Sequence, residues 1–126
     1  MADHIPTDIK LRTKSKVLEL EYEGGQRYSL SCEYLRVYSP SAEVRGHGQD
    51  QEVLQTGKQL VGIRAIKSVG NYALQFEFDD DHDTGLYSWD YLHQMCVKQE
   101  AWWQDYLDRL ATAGASRDPE VQVLKL

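Results

Sequence analysis

The sequence predicts an α+β fold, with a small, mostly antiparallel β-sheet, a short turn helix and C-terminal helices. Apolar and polar residues alternate over several short stretches in the first part of the chain, which is the period of half-buried strands. In the last part apolar residues recur every three or four positions, which is the period of an amphipathic helix. A run of strands followed by helices is typical of an α+β domain.

Glycines and polar breaks divide the N-terminal part into short strands. One apolar-polar run surrounds Ile9, and a second spans residues 17–22. Gly24 and Gly25 then separate the second run from a third around Tyr28. Because glycine accepts the positive φ of a tight turn, the second and third runs are expected to form a β-hairpin.

A short helix and a loop follow the hairpin. Ser31 is a suitable N-cap for a helical turn, and Pro40 is expected to end it because proline disfavours helix in the residue before it. Residues 43–58 are polar and glycine-rich, and they contain one apolar pair. This composition is typical of a mobile loop.

The remaining elements are two strands and two helices. An apolar run over 60–66 predicts a strand, and strict alternation over 72–78 predicts a second one. Ser88 is a suitable N-cap for the next helix. A further helix carries the apolar residues of 102–110, and Gly114 is expected to end it.

Length and charge limit the classes of function. The 126 residues predict one domain, 6–113, between a flexible N-terminal arm, 1–5, and a C-terminal tail, 114–126. The net charge of −6 argues against general binding to nucleic acid or to an anionic membrane. No apolar run approaches the roughly 18 residues of a membrane span. Two cysteines are too few for a disulfide scaffold, so we expect a cytoplasmic protein.

Residues 79–83 place four carboxylates around one imidazole, His82. Carboxylates this close repel one another, so the folded loop needs hydrogen-bond donors, a cation or a metal. Zinc or iron is one interpretation. The other is an acidic turn whose aspartates cap backbone amides. The candidate metal ligands are His82, Asp79, Asp80, Asp81 and His47.

Motifs of catalysis are absent from the sequence. It contains no GxSxG nucleophile elbow and no GxxxxGK(S/T) phosphate loop. We therefore assign no catalytic residues and expect a protein that is not an enzyme. Trp102 and Trp103 are informative in another way, because adjacent helical residues do not face the same core. One of them either contacts a partner or lies flat across a neighbouring helix.

A longer pattern resembles a known family. The stretch 68–92 reads SVGNYALQFEFDDDHDTGLYSWDYL, and it is preceded by the segments 28–30, 33–36 and 39–42, which read YSL, EYLR and SPSA. This pattern resembles the small domain once catalogued as DUF971, now called the γ-butyrobetaine hydroxylase-like N-terminal domain. The resemblance covers about residues 6–98.

The resemblance implies an accessory role. In this family the domain stands alone in bacteria, precedes carnitine-synthesising 2-oxoglutarate oxygenases, or is attached to P-loop iron–sulfur carrier ATPases. The chemistry of the oxygenases lies in a separate domain. We therefore expect an interaction or adaptor module with a protein partner or a second copy of itself. The alternative is a zinc- or iron-binding accessory protein. The residues expected to contact the partner are Arg36, Tyr38, Tyr87, Trp89, Trp102 and Trp103.

The resemblance also implies a structural zinc ion held by three cysteines and one histidine. His82 matches the histidine, whereas Ser39, Ser41 and Val44 stand at the cysteine positions. Hydroxyl and isopropyl groups do not replace thiolates, so we do not expect a tetrahedral Cys₃His site. His82 is expected instead to form a hydrogen bond with the segment 35–41.

Overall fold

The α+β prediction is confirmed by a computed structural model, which describes residues 4–45 and 52–121. The strands form two three-stranded antiparallel sheets rather than the single sheet expected. The elements are β1 (Asp8–Arg12), β2 (Val17–Glu21), β3 (Arg27–Ser31), α1 (Cys32–Val37), α2 (Ala42–Arg45), β4 (Ile63–Val69), β5 (Ala73–Phe78), β6 (Leu86–Ser88), α3 (Trp89–Val97) and α4 (Gln99–Ala113).

The first sheet has the order β1-β2-β3. Gly24 and Gly25 adopt φ angles of 93° and 86° in the turn between β2 and β3, so the predicted hairpin is confirmed. Leu18 and Leu30 face each other across the hairpin and are fully buried. The alternation of the sequence therefore corresponds to one core face and one charged face.

The second sheet has the order β4-β5-β6. Its central strand, β5, buries Leu74, Phe76 and Phe78 on one face, as the strict alternation predicts. Strand β6 was not predicted, because three residues are too few to show a period. Strand β4 begins at Ile63 rather than at residue 60.

The helix ends follow the sequence signals. The Ser31 hydroxyl accepts a hydrogen bond from the amide of α1, and the Ser88 hydroxyl does the same for α3. Gly114 ends α4 in the left-handed conformation with φ of 63°. The loop expected over 43–58 differs, because Ala42–Arg45 forms the short helix α2. Within 4–45 and 52–121, every helix is too short or too polar to cross a membrane.

Tyrosine hydroxyls tie the elements together. Five of them donate hydrogen bonds to backbone carbonyl oxygens of other segments, which satisfies the polar end of each buried ring. The pairs are Tyr34 to Met95 at 2.8 Å, Tyr38 to Trp102 at 2.7 Å, Tyr87 to Leu35 at 2.5 Å, Tyr91 to Tyr38 at 2.5 Å and Tyr106 to Gln55 at 2.7 Å. These bonds fix α1, α3 and α4 relative to one another.

The first residues of the expected tail, 114–121, are packed against the domain. Arg117 donates two hydrogen bonds, of 2.8 and 2.7 Å, to the buried carboxylate of Glu33 on α1. The Ser116 carbonyl accepts a further bond from the Gly57 amide. The sequence does not predict this attachment, because an arginine that pairs with a glutamate 84 positions away leaves no local pattern.

Candidate functional site

His82 lies against the segment that follows α1. Its Nε2 is 2.9 Å from Ser39 Oγ and 3.2 Å from Ser41 Oγ, and the two hydroxyls are 3.2 Å apart. We call these three residues the Ser–His junction. The expected hydrogen bond between His82 and segment 35–41 is thereby confirmed.

The Ser–His junction is closed to solvent on its serine side. Ser39 and Ser41 are 0% and 4% exposed. Gly85 packs directly on them, and a Cβ at that position would overlap Ser39 Oγ. A substrate therefore has no access to either hydroxyl as a nucleophile, which is the first requirement of a serine–histidine mechanism.

The environment of His82 favours the neutral imidazole. Burial lowers the pKa of His82, and the Arg36 guanidinium lowers it further, against the opposing carboxylates of Asp80 and Glu43. A neutral ring offers one donor and one acceptor nitrogen, so Nε2 forms one strong hydrogen bond with the serine pair. The arrangement holds two chain segments together.

The junction does not have the ligands of a Cys₃His zinc site. Ser39 and Ser41 present hydroxyls beside His82, and Val44 is apolar. Cys32, buried in the core, is a protonated thiol, because burial raises its pKa to about 11. Among residues 4–45 and 52–121, no group of three or more histidine, cysteine, aspartate or glutamate side chains converges to hold a metal ion.

Two aspartates of the acidic loop, Asp80 and Asp81, form ion pairs with cations of the same chain. Asp80 Oδ2 lies 2.9 Å from Arg36 Nε and 2.6 Å from Lys58 Nζ, and Asp81 Oδ1 lies 2.7 Å from Arg64 Nη2. Burial acts to raise the pKa of Asp80, but Lys58 and Arg36 hold it below its usual value.

Two further candidate metal ligands stand apart from these ion pairs. Asp79 receives a hydrogen bond at neither oxygen among the described residues, and its backbone amide bonds to Gly62. His47 lies outside the described residues. Among the described residues, the acidic loop is therefore a turn in which Asp80 and Asp81 form ion pairs.

Three residues expected at a partner surface lie inside the protein. Arg36, Tyr38 and Tyr87 are 7%, 8% and 0% exposed. Arg36 pairs with Asp80, and the hydroxyls of Tyr38 and Tyr87 bond to backbone carbonyls. The structure therefore corrects their assignment, since they hold the fold and offer a partner little or no side-chain surface.

The three tryptophans are half-buried. Trp89 Nε1 donates to the Asn71 carbonyl at 2.8 Å, and the Trp103 ring lies beneath the Arg117 guanidinium at 5.1 Å. Trp102 packs between Tyr38 and Tyr91, with ring centroids 5.3 and 5.9 Å away. Trp102 and Trp103 face different neighbours, as their adjacent positions predict.

Trp102 lines an open groove of about 630 Å³ between the end of α1, α2, α3 and α4. We call it the aromatic groove. Its lining residues are Tyr38, Arg45, Glu52, Tyr91, Gln94, Trp102, Asp105 and Arg109.

The guanidinium groups of two arginines lie over tyrosine rings of the groove. Arg45 lies 5.9 Å from the Tyr91 ring centre, and Arg109 lies 5.7 Å from that of Tyr38. The carboxylate of Glu52 lies between the two guanidinium groups. The sequence does not single out Arg45, Glu52 and Arg109, because they come from three separate segments that only the fold brings together.

The chain is similar to one known protein family and to several solved structures. The family described as "Gamma-butyrobetaine hydroxylase-like, N-terminal" matches residues 9–93. One NMR solution structure is 49% identical, covers 99% of this chain and 98% of its own, and has a TM-score of 0.84. A second is 51% identical, covers 98% and 92%, and has a TM-score of 0.78.

A crystal structure from Acidithiobacillus ferrooxidans is more distant. It is of a protein with unknown function in the DUF971 family, is 33% identical, and covers 71% of this chain and 90% of its own. Its TM-score is 0.60, so the similarity extends to the backbone fold. Among curated proteins, none matches the chain.

Proposed function

The chain belongs to the γ-butyrobetaine hydroxylase-like N-terminal (DUF971) family, and we propose that it is a non-catalytic protein-interaction module whose partner binds at the aromatic groove. The observation that carries the proposal is the partly exposed Trp102, set between two tyrosines and beside two arginines in an open groove. Tryptophan, tyrosine and arginine are the residues that contribute most to binding energy in protein interfaces.

Two tyrosine rings of the groove are held by hydrogen bonds. The Tyr38 hydroxyl bonds to the Trp102 carbonyl at 2.7 Å, and the Tyr91 hydroxyl bonds to the Tyr38 carbonyl at 2.5 Å. Rings fixed in this way lose little conformational entropy when they are covered. This preorganisation supports a binding role for the groove.

The closed Ser–His junction supports a non-catalytic protein. Its hydroxyls are buried, and Gly85 blocks the approach to Ser39. The zinc or iron alternative draws no support from the ligands at this junction, where hydroxyls stand in place of thiolates. Elemental analysis of protein purified without an affinity tag is expected to find less than about 0.1 zinc or iron per chain. A stoichiometric content would favour the alternative.

Site-specific photo-crosslinking tests the proposed surface. A benzophenone side chain at position 102 is expected to crosslink a defined protein from the native lysate, and mass spectrometry identifies it. The control places the same group at position 72, which is 55% exposed in the β4–β5 turn and outside the groove. Equal crosslinking at both positions, or none at 102, would contradict the proposal. Light scattering of the pure protein determines whether the partner is a second copy.

A further inference from the structure

We infer that the aromatic groove binds an acidic segment of a protein partner, and that Glu52 occupies the position of the partner's carboxylate in the free protein. The inference rests on the proposed function and adds the chemistry of the partner. Its basis is the contact of Glu52 with both arginines: Oε2 lies 3.0 Å from Arg109 Nη1, and Oε1 lies 3.7 Å from Arg45 Nε.

Glu52 is held loosely enough to be replaced. Its side chain is 39% exposed, and ion pairs this exposed contribute little to stability. The backbone beyond it is fixed separately, because the Val53 amide bonds to the Val44 carbonyl and the Gln55 carbonyl accepts from Tyr106. A rotation of the Glu52 side chain alone therefore uncovers the two guanidinium groups.

The groove is electropositive once Glu52 has turned away. Arg45 and Arg109 then face one acid, Asp105, which leaves a net charge of +1 among these lining residues. Arg109 Nε lies 3.1 Å from Asp105 Oδ2, and its Nη2 donates to the Tyr38 hydroxyl at 3.2 Å, so Nη1 is the donor that Glu52 occupies. Guanidinium groups are well suited to carboxylates, and charge-assisted bonds of this kind are strong.

A peptide segment fits the groove better than a free dicarboxylic acid. The arginines occupy only part of the lining, and the rings of Tyr91 and Trp102 extend beside them in a space of about 630 Å³. A small acid would pair with the arginines and leave these rings exposed. A peptide covers both, through its carboxylates and its apolar or aromatic side chains.

Peptide selection tests this inference. A phage-displayed library of random dodecapeptides is selected on the full chain, and a labelled synthetic peptide of the consensus sequence is measured by fluorescence anisotropy. We expect aspartate and glutamate to be enriched beside an aromatic residue. Glu52→Gln is expected to tighten the Kd by about threefold to fivefold, because the internal competitor is lost. Arg45→Gln with Arg109→Gln is expected to weaken it by about tenfold or more.

Matched controls separate the outcomes. Glu23→Gln removes the same charge from an exposed turn outside the groove and is expected to leave the Kd unchanged. Consensus peptides without acidic residues, or equal Kd values for the Glu52 and Glu23 variants, would overturn the inference while leaving the proposed function in place. Competition by glutarate as strong as by the peptide would also overturn it. If Trp102→Ala, checked for folding by circular dichroism, binds every selected peptide normally, the proposed function fails as well.

Discussion

The Ser–His junction and the aromatic groove both use residues of the segment 38–45 after helix α1, yet they differ in how their polar groups are used. In the junction, Ser39 and Ser41 are buried and bond to His82. In the groove, two arginines share one exposed glutamate beside the partly exposed rings of Tyr91 and Trp102. The first set is closed on itself, whereas the second is held by ion pairs that solvent reaches.

This difference, rather than residue type, is the basis on which we assign a structural role to the junction and propose a binding role for the groove. A histidine among four aspartates is the most conspicuous feature of the sequence, but the fold surrounds His82 with internal partners. Buried polar groups that satisfy one another specify a structure, because leaving any of them unpaired is costly. The aromatic rings beside exposed ion pairs form the surface that we propose binds a partner.

Asp80→Asn is expected to have the largest effect on stability. The change leaves the buried Arg36 side chain and the neighbouring Lys58 without their shared carboxylate. We expect a loss of about 3 kcal/mol in the free energy of unfolding, measured by urea denaturation. Asp83→Asn is the matched control, because Asp83 is exposed in the same loop and its side chain forms no ion pair among the described residues. Equal losses in the two variants would show that the ion pair between Asp80 and Arg36 makes no specific contribution to stability.

Gly85→Ala is expected to destabilise the junction by an intermediate amount. The added methyl group overlaps Ser39 Oγ and crowds Pro40 Cδ at 3.2 Å, so the hydroxyl must leave His82. Overpacking of this kind costs about 2 kcal/mol, which thermal and urea denaturation both detect. In the double variant with Ser39→Ala the obstacle is absent, and we expect part of the loss to be recovered. A purely additive double-mutant cycle would contradict the contact.

Local patterns in the sequence predict the elements of this fold well. Ser31 and Ser88 cap their helices, Gly114 ends α4, and the alternation over 72–78 forms a central strand. In each case the signal and the structure it determines lie within a few residues of each other. Capping, turn geometry and strand period are local effects, so one sequence suffices to recognise them.

The sites were harder to predict because they depend on contacts between distant segments. Arg36 was expected at the surface, since nothing near it in the chain shows that Asp80, 44 residues away, would pair with it inside the protein. Arg109 and Glu52, 57 residues apart, meet only when α4 packs beside the segment after α2. The Ser–His contact was predictable only because the family resemblance had already aligned His82 with the serines.

Glu52→Gln is expected to have the smallest effect on stability. It is also the most direct test of the difference between the Ser–His junction and the aromatic groove. Its carboxylate is 39% exposed and its partners Arg45 and Arg109 are 44% and 36% exposed, so losing these ion pairs changes the free energy of unfolding by less than about 0.5 kcal/mol. Urea denaturation beside Glu23→Gln measures the difference. A loss of stability as large as that of Asp80→Asn would mean that the fold depends on the Glu52 ion pairs. A partner's carboxylate could then not replace Glu52 at low cost. A near-zero change, together with tighter peptide binding, identifies an ion pair whose main effect is on binding rather than on folding.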